Sequence, residues 1–105
     1  MRVLSFDVNG QQISKNPECD FSGLVAGTRN YFKAHFSFSP DWDGCVLIAS
    51  FWKGSNEYAI PIKDNVCMIP PEVLTSRSYG ISVIGQRDDY RITSNRIYIR
   101  QEGLK

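Results

Sequence analysis

Apolar and polar positions alternate along most of this chain, and the alternation predicts strands. From Arg2 to Val8, Leu4, Phe6 and Val8 stand against Val3, Ser5 and Asp7. A period of two is the mark of a half-buried strand. Asn9-Gly10 follows, a strong hairpin signal, with Gln11 to Ser14 as the returning strand. Residues 15–23 (KNPECDFSG) are loop by composition. Leu24 to Phe38 is expected to be the longest extended segment, with a bend or bulge at Gly27. Its second half sets Phe32, Ala34, Phe36 and Phe38 against Tyr31, Lys33, His35 and Ser37. Then comes Phe36-Ser37-Phe38-Ser39-Pro40-Asp41-Trp42-Asp43-Gly44, a corner that breaks at a proline and places a tryptophan for burial.

Beyond the corner, Cys45 to Trp52 is apolar except for Ser50. Such a run predicts a strand covered on much of both faces. A turn at residues 53–56 leads to a strand in which Tyr58, Ile60 and Ile62 alternate with Ala59, Pro61 and Lys63. Proline cannot donate to a ladder, so this strand belongs at a sheet edge. Asp64-Asn65 makes a tight turn before a short strand, Val66 to Ile69. Pro70 to Leu74 is the one helix-like piece, a single turn crossing between sheets with Val73 and Leu74 as plugs. Tyr79 to Gly85 and Tyr90 to Arg100 are strands about a turn at residues 86–89, and Gln101 to Lys105 is a loose tail. Seven or eight short strands with almost no helix predict an immunoglobulin-like antiparallel β-sandwich. Its expected core is Phe32, Ala34, Phe36, Phe38, Trp42, Leu47, Phe51, Tyr58, Ile60, Ile62, Val83, Ile97 and Ile99.

Composition narrows this picture. A chain of 105 residues holds one domain, 1–105, with one core. The net charge of +1 disfavours a dedicated nucleic-acid coat. No apolar run reaches membrane-spanning length, and Asp7 interrupts the N-terminus before a signal-like segment builds. The expected location is therefore a cytoplasm or an assembled particle. Three cysteines, Cys19, Cys45 and Cys67, without CxxC spacing read as reduced thiols in preference to a Cys45–Cys67 bridge.

Candidate chemistry thins out on inspection. Asp41 and Asp43 before Gly44 suggest part of a calcium loop, but the twelfth position from Asp41 is Trp52, where a bidentate glutamate is needed. The aspartates are read as turn formers, and no metal or cofactor is expected. His35, the sole histidine, has no partners at zinc-ligand spacing. Pairing with Cys45 or Cys67 as a nucleophile would need a third group and an oxyanion site. No catalytic residue is assigned, and the chain is expected not to be an enzyme. The glycines match no phosphate-loop spacing. One surface stands out. From Arg77 onward six basic residues face three acidic ones, and Arg96, Tyr98 and Arg100 share the outward side of the last strand. Arginine and tyrosine are enriched at protein interfaces, and these three residues form the candidate interaction surface. A plain solvated strand face is the alternative, as is an OB-like platform for single-stranded nucleic acid.

Several motifs recur together in one order: FSFSPDW-DG, an apolar strand, Glu57-Tyr58, DNVCMIPPEVL from Asp64 to Leu74, GISVIG from Gly80 to Gly85, and RITSN from Arg91 to Asn95. Over residues 30–100 this order resembles small β-sandwich modules of tailed phages and prophages of Gram-positive bacteria, and is similar to the N-terminal module of baseplate upper proteins. Residues 1–29 carry an extra hairpin outside the resemblance. Those baseplate proteins continue into helical and receptor-directed regions, whereas this sequence ends at Lys105. The resemblance implies a non-enzymatic structural or accessory module of a baseplate, tail or capsid. Its partners would be phage structural proteins, a host defence protein that it inhibits, or a second copy of itself through an open edge.

Overall fold

The computed structural model describes residues 1–103. Among the described residues nine strands form two sheets: β1 (Arg2–Asn9), β2 (Gln12–Lys15), β3 (Phe32–Phe38), β4 (Val46–Lys53), β5 (Asn56–Pro61), β6 (Val66–Met68), β7 (Ser78–Arg87), β8 (Tyr90–Thr93) and β9 (Ile97–Arg100). One sheet has the order β2-β1-β3-β6, the other β5-β4-β7-β8, with β9 also on β7. The architecture is an all-β sandwich, as the alternating sequence predicts. Short 3-10 turns at Pro40–Trp42 and Val73–Thr75 are its helical elements. Among the described residues no helix is long and apolar enough to cross a membrane.

Three details differ from the sequence reading. The sheets are not wholly antiparallel, because β3 runs parallel to β1 from Arg2↔Phe32 to Val8↔Phe38. After the β1–β2 hairpin, residues 16–31 carry the chain back to the end where β1 began, so β3 enters in the same direction. Nor is Leu24 to Phe38 one strand: only Phe32–Phe38 is ladder-bonded, and the longest strand is β7 with ten residues. Upstream, Gly27 takes a positive φ of 98° and Val25 makes an isolated parallel bridge to Glu102. That bridge also ties down the expected tail. Gln101 Nε2 donates to the carbonyls of Leu74 (3.3 Å) and Ser76 (2.7 Å), and the Glu102 N–H donates to Leu24 O. Residues 104 and 105 of that expected tail lie outside the described residues.

The last long strand is split. β9 pairs with residues 78–81 of β7 and β8 with residues 84–87, so the two are halves of one run along the same edge. At the break, Ser94 replaces the ladder: its N–H donates to Val83 O, and its hydroxyl accepts the Val83 N–H at 2.9 Å. The next residue turns to the other sheet. Asn95 Oδ1 accepts the Ile13 N–H at 2.8 Å, and the Asn95 N–H donates to Gln11 O. An edge strand that would otherwise offer open donors is thereby stitched across the sandwich.

Two turns follow their sequences closely. Asp64 and Asn65 both take positive φ, 54° and 64°, and Lys63 and Val66 exchange backbone hydrogen bonds across them. This is the geometry of a type I′ turn, which Asn and Asp tolerate. The proline-bearing β5 lies at the edge of its sheet. The crossover from β6 to β7 buries Val73 and Leu74 completely.

The core lies between the sheets. Leu4, Phe6 and Val8 of β1, Phe32, Ala34 and Phe36 of β3, Ala49 and Phe51 of β4, and Tyr79, Ile81 and Val83 of β7 are buried. Of the expected core, Phe38, Leu47, Tyr58, Ile60 and Ile97 are only partly buried and rim it. The corner closes one end. Trp42, 2% exposed, packs at 5.3 Å against Phe38 and donates its indole N–H to Gly10 O at 2.8 Å. Gly85 makes room: a Cβ there would lie 2.8 Å from Trp42 Cε3. The aspartates serve the turn. Asp41 Oδ2 accepts from the Ser39 hydroxyl, while the carbonyls of Asp41 and Asp43 accept from Tyr90 and Arg87.

All three cysteines are free thiols. Burial of Cys67 on β6 pushes its thiol up to about 12, and burial also raises the Tyr79 phenol. In the unfolded chain these groups ionise near pH 9.0 and 10.0. The unfolded state therefore sheds protons first as pH rises. The Cys67 contribution to stability is complete below its unfolded pKa and is lost as pH rises toward about 12; Tyr79 adds to the loss once pH passes its own unfolded value.

Urea unfolding across this alkaline range should show a falling midpoint, and Cys67→Ala should flatten its first part. An unchanged slope in that variant would remove Cys67 as the cause. Trp42→Ala should cost about 3–5 kcal/mol, through the cavity it leaves. Trp42→Phe should cost less, keeping a ring but losing the donor to Gly10. A loss in Trp42→Ala well under ~1 kcal/mol would show that the corner is not core.

Candidate functional site

Residues directly opposite in a ladder share a face, so the register defines the outer surface of the five-stranded sheet. One rung runs Glu57, Trp52, Gly80, Tyr98 across β5, β4, β7 and β9. The next holds Ala59, Ser50 and Ser82, and the one after it Pro61, Ile48, Ile84 and Thr93. The last holds Val46, Gln86 and Arg91. The inward neighbours of these residues make the core, so this face carries whatever the sheet offers to solvent.

It offers an apolar trough. Val46 is 73% exposed. With Ile48, Ala59 and Ile84 it lines an open depression of about 520 Å³, whose polar walls include Gln86, Arg87, Asp88 and Arg91. The Ser50 hydroxyl, fully buried in the floor, donates to Glu57 Oε2 at 2.6 Å. The floor is thus satisfied internally, and apolar carbon remains as its open part. The sequence reading of Cys45 to Trp52 as covered on much of both faces holds except at Val46. Ala49 and Phe51 are fully buried, but Val46 stands open on the other side, and nothing in the described chain crosses over it.

Beside the trough lies an aromatic and arginine cluster. The Arg96 guanidinium stacks over the Trp52 ring, 3.7 Å from its centroid, and the Trp52 indole N–H donates to Ser82 Oγ at 3.3 Å. Gly80 is the notch that permits this. A Cβ there would meet Arg96 Cδ at 2.9 Å and Tyr98 Cε1 at 3.2 Å. The arginine stem and the tyrosine edge therefore lie down on bare backbone. Tyr98 remains 57% exposed.

Of the sequence-predicted surface, Arg96 and Tyr98 come together over Gly80, while Arg100 stands one rung away, opposite Ser78 and exposed. Trp52, Gly80 and the trough were missed. The signal for them lay in the alternate positions Val46, Ile48, Ser50 and Trp52 of the apolar run, which must all face outward once Leu47, Ala49 and Phe51 face in.

No protein-family model matches the chain, and no curated protein matches it.

The remaining candidates do not converge. His35 shares a shallow depression of about 330 Å³ with Cys19, Ser5, Asn16, Glu18 and Ser37, not with Cys45 or Cys67. Cys19 Sγ accepts the Ser5 N–H at 3.3 Å and lies 3.7 Å from Val3 O, so the thiol holds its loop to β1. Among the described residues no group of three or more His, Cys, Asp or Glu side chains is placed to hold a metal.

Gly80→Ala tests the cluster. The added methyl should lift Arg96 off Trp52 at a stability cost of about 1 kcal/mol or less, because flexible side chains rather than backbone must move. The readout is the proton resonance of the Arg96 δ-methylene, which ring current from Trp52 should shift upfield in the parent and release in the variant. An unchanged resonance would mean that the stack does not depend on the notch.

Proposed function

We propose that this domain is a non-enzymatic contact module that binds another protein through the outer face of its five-stranded sheet. The observation that carries the reading is the open trough of Val46, Ile48, Ala59 and Ile84 beside the Trp52–Arg96–Tyr98 cluster. Trp, Tyr and Arg dominate the residues whose truncation costs most at interfaces. A side chain already held by stacking and hydrogen bonding loses little freedom when a partner docks. The resemblance to phage baseplate modules supplies the setting: a structural or accessory component of a tailed phage or prophage, in baseplate, tail or capsid decoration. The nucleic-acid reading is disfavoured by the same geometry. A stacking platform for bases needs free aromatic faces, and Arg96 already occupies one face of Trp52, which leaves Tyr98 as the exposed ring of the cluster.

Mass spectrometry of purified particles from a phage or prophage encoding the chain tests this reading. The domain should be present in stoichiometric amount, and Ile84→Asp, at a partly buried position of the trough, should keep a native spectrum yet be lost from particles. Absence from particles, together with stoichiometric capture of a host protein through the same face, would assign the inhibitor role instead. Full incorporation of Ile84→Asp would remove the face from the interface.

A further inference from the structure

We infer that the occupant of this face is a protein segment with aliphatic side chains along its centre and carboxylates along one flank, the flank that lies over β8 and β9. The inference rests on the contact-module reading and adds the chemistry and orientation of the partner.

The distribution of charge carries it. The register places Arg91 on the outward side of β8 and Arg100 on that of β9, with Arg96 just before β9 on the same flank. Arg91 stands in the wall of the apolar trough, Arg96 is rooted beside β9 and reaches inward over Trp52, and Arg100 lies farther along the same edge, opposite Ser78. Arg91 donates one N–H to Gln86 Oε1 at 3.3 Å, which leaves most of its five donors for a ligand. Arg96 gives the face of its guanidinium to Trp52, but the edge of the fork, where carboxylates bind, is not consumed by stacking. Arg100 is exposed.

Arg87 is not counted with these three. Its NH1 donates to Asp43 O at 2.8 Å and its guanidinium lies 4.4 Å from the Tyr90 ring centroid, so it braces the corner. Two acidic groups, Glu57 and Asp88, line the trough with Arg91. Glu57 is on β5, across the trough, and Asp88 and Asp89 occupy the β7–β8 turn at its end. Base outweighs acid on the β8–β9 side, where Arg91, Arg96 and Arg100 are rooted against Asp88 and Asp89 of the β7–β8 turn, while the β5 side offers Glu57 alone. A partner with carboxylates over β8–β9 meets three arginines, whereas the reversed orientation sets its acids against Glu57.

A second copy of this chain fits less well. If two faces meet so that each β8–β9 flank covers its own counterpart, arginine opposes arginine. If they meet the other way, Glu57 is the sole acid offered by the β5 outer row to three arginines. Electrostatic complementarity sets orientation and rejects wrong partners more than it sets raw affinity, so charge is the property to test.

The test is a titration of the ¹⁵N-labelled domain, followed by NMR, with four probes: a Leu/Glu alternating peptide, matched Leu/Lys and Leu/Ser peptides, and oligo-dT. The Leu/Glu peptide should bind best and shift Val46, Ile48, Ile84 and Arg91. Its binding should weaken with added salt and fall at least about tenfold in the Arg91→Glu/Arg100→Glu double variant. These are exposed positions, and the variant's own spectrum reports its folding.

Equal or tighter binding of Leu/Lys or Leu/Ser at the same residues would overturn the acidic class and leave the contact face standing. Preference for oligo-dT, or no shift at this face with any probe, would overturn the inference. So would light scattering that shows a dimer broken by Ile84→Asp, since the occupant would then be a second copy. The fate of the contact-module reading is decided separately, by the particle measurement.

Discussion

Trp42 is the piece on which the rest of the sandwich depends. Its indole reaches three parts of the chain that are distant in sequence: the Gly10 carbonyl in the first hairpin, the Phe38 ring at the end of β3, and the bare backbone of Gly85 on β7. Those parts belong to both sheets. A bulky, rigid side chain with one polar atom suits the position, because it fills a corner and satisfies a carbonyl with the same group. The proline before it and the positive φ of 76° at Gly44 after it fix how the chain enters and leaves.

A second constraint is the management of edges. β5 carries a proline, and β6 has three residues. The broken run of β8 and β9 sends Asn95 across to the backbone of β2 and its turn. With the edges so treated, the outer face of the five-stranded sheet is left with an open apolar trough. Its openness is not a defect of the fold, since the floor polar group, Ser50, is already paired with Glu57.

Much of the fold was legible because alternation is enforced by burial. Leu4, Phe6 and Val8, or Tyr79, Ile81 and Val83, could face only one way. The Asp64-Asn65 turn and the Pro70–Leu74 crossover were legible from local chemistry. What was not legible depended on long-range placement. The parallel pairing of β1 with β3 is set by where residues 16–31 deliver the chain, and no local pattern encodes that. Leu24 and Ala26 are buried by tertiary contact rather than by a ladder, so their apolar character suggested a strand that is absent. The site was half legible. Arg96 and Tyr98 were visible on an outward strand, but Trp52 reaches them only through the β4–β7–β9 register. An unbroken apolar run conceals which of its residues lack a cover, and that hid Val46.

The two-residue period of β4 and β7 divides these strands into separate sets of positions. Leu47, Ala49, Phe51, Ile81 and Val83 answer to the interior, while Val46, Ile48, Ile84, Trp52 and Gly80 answer to whatever lies outside. Substitution can proceed in the second set with little debt to the first. The outer set can therefore vary while the interior stays recognisable, and relatives should diverge fastest at alternate positions of the same two strands.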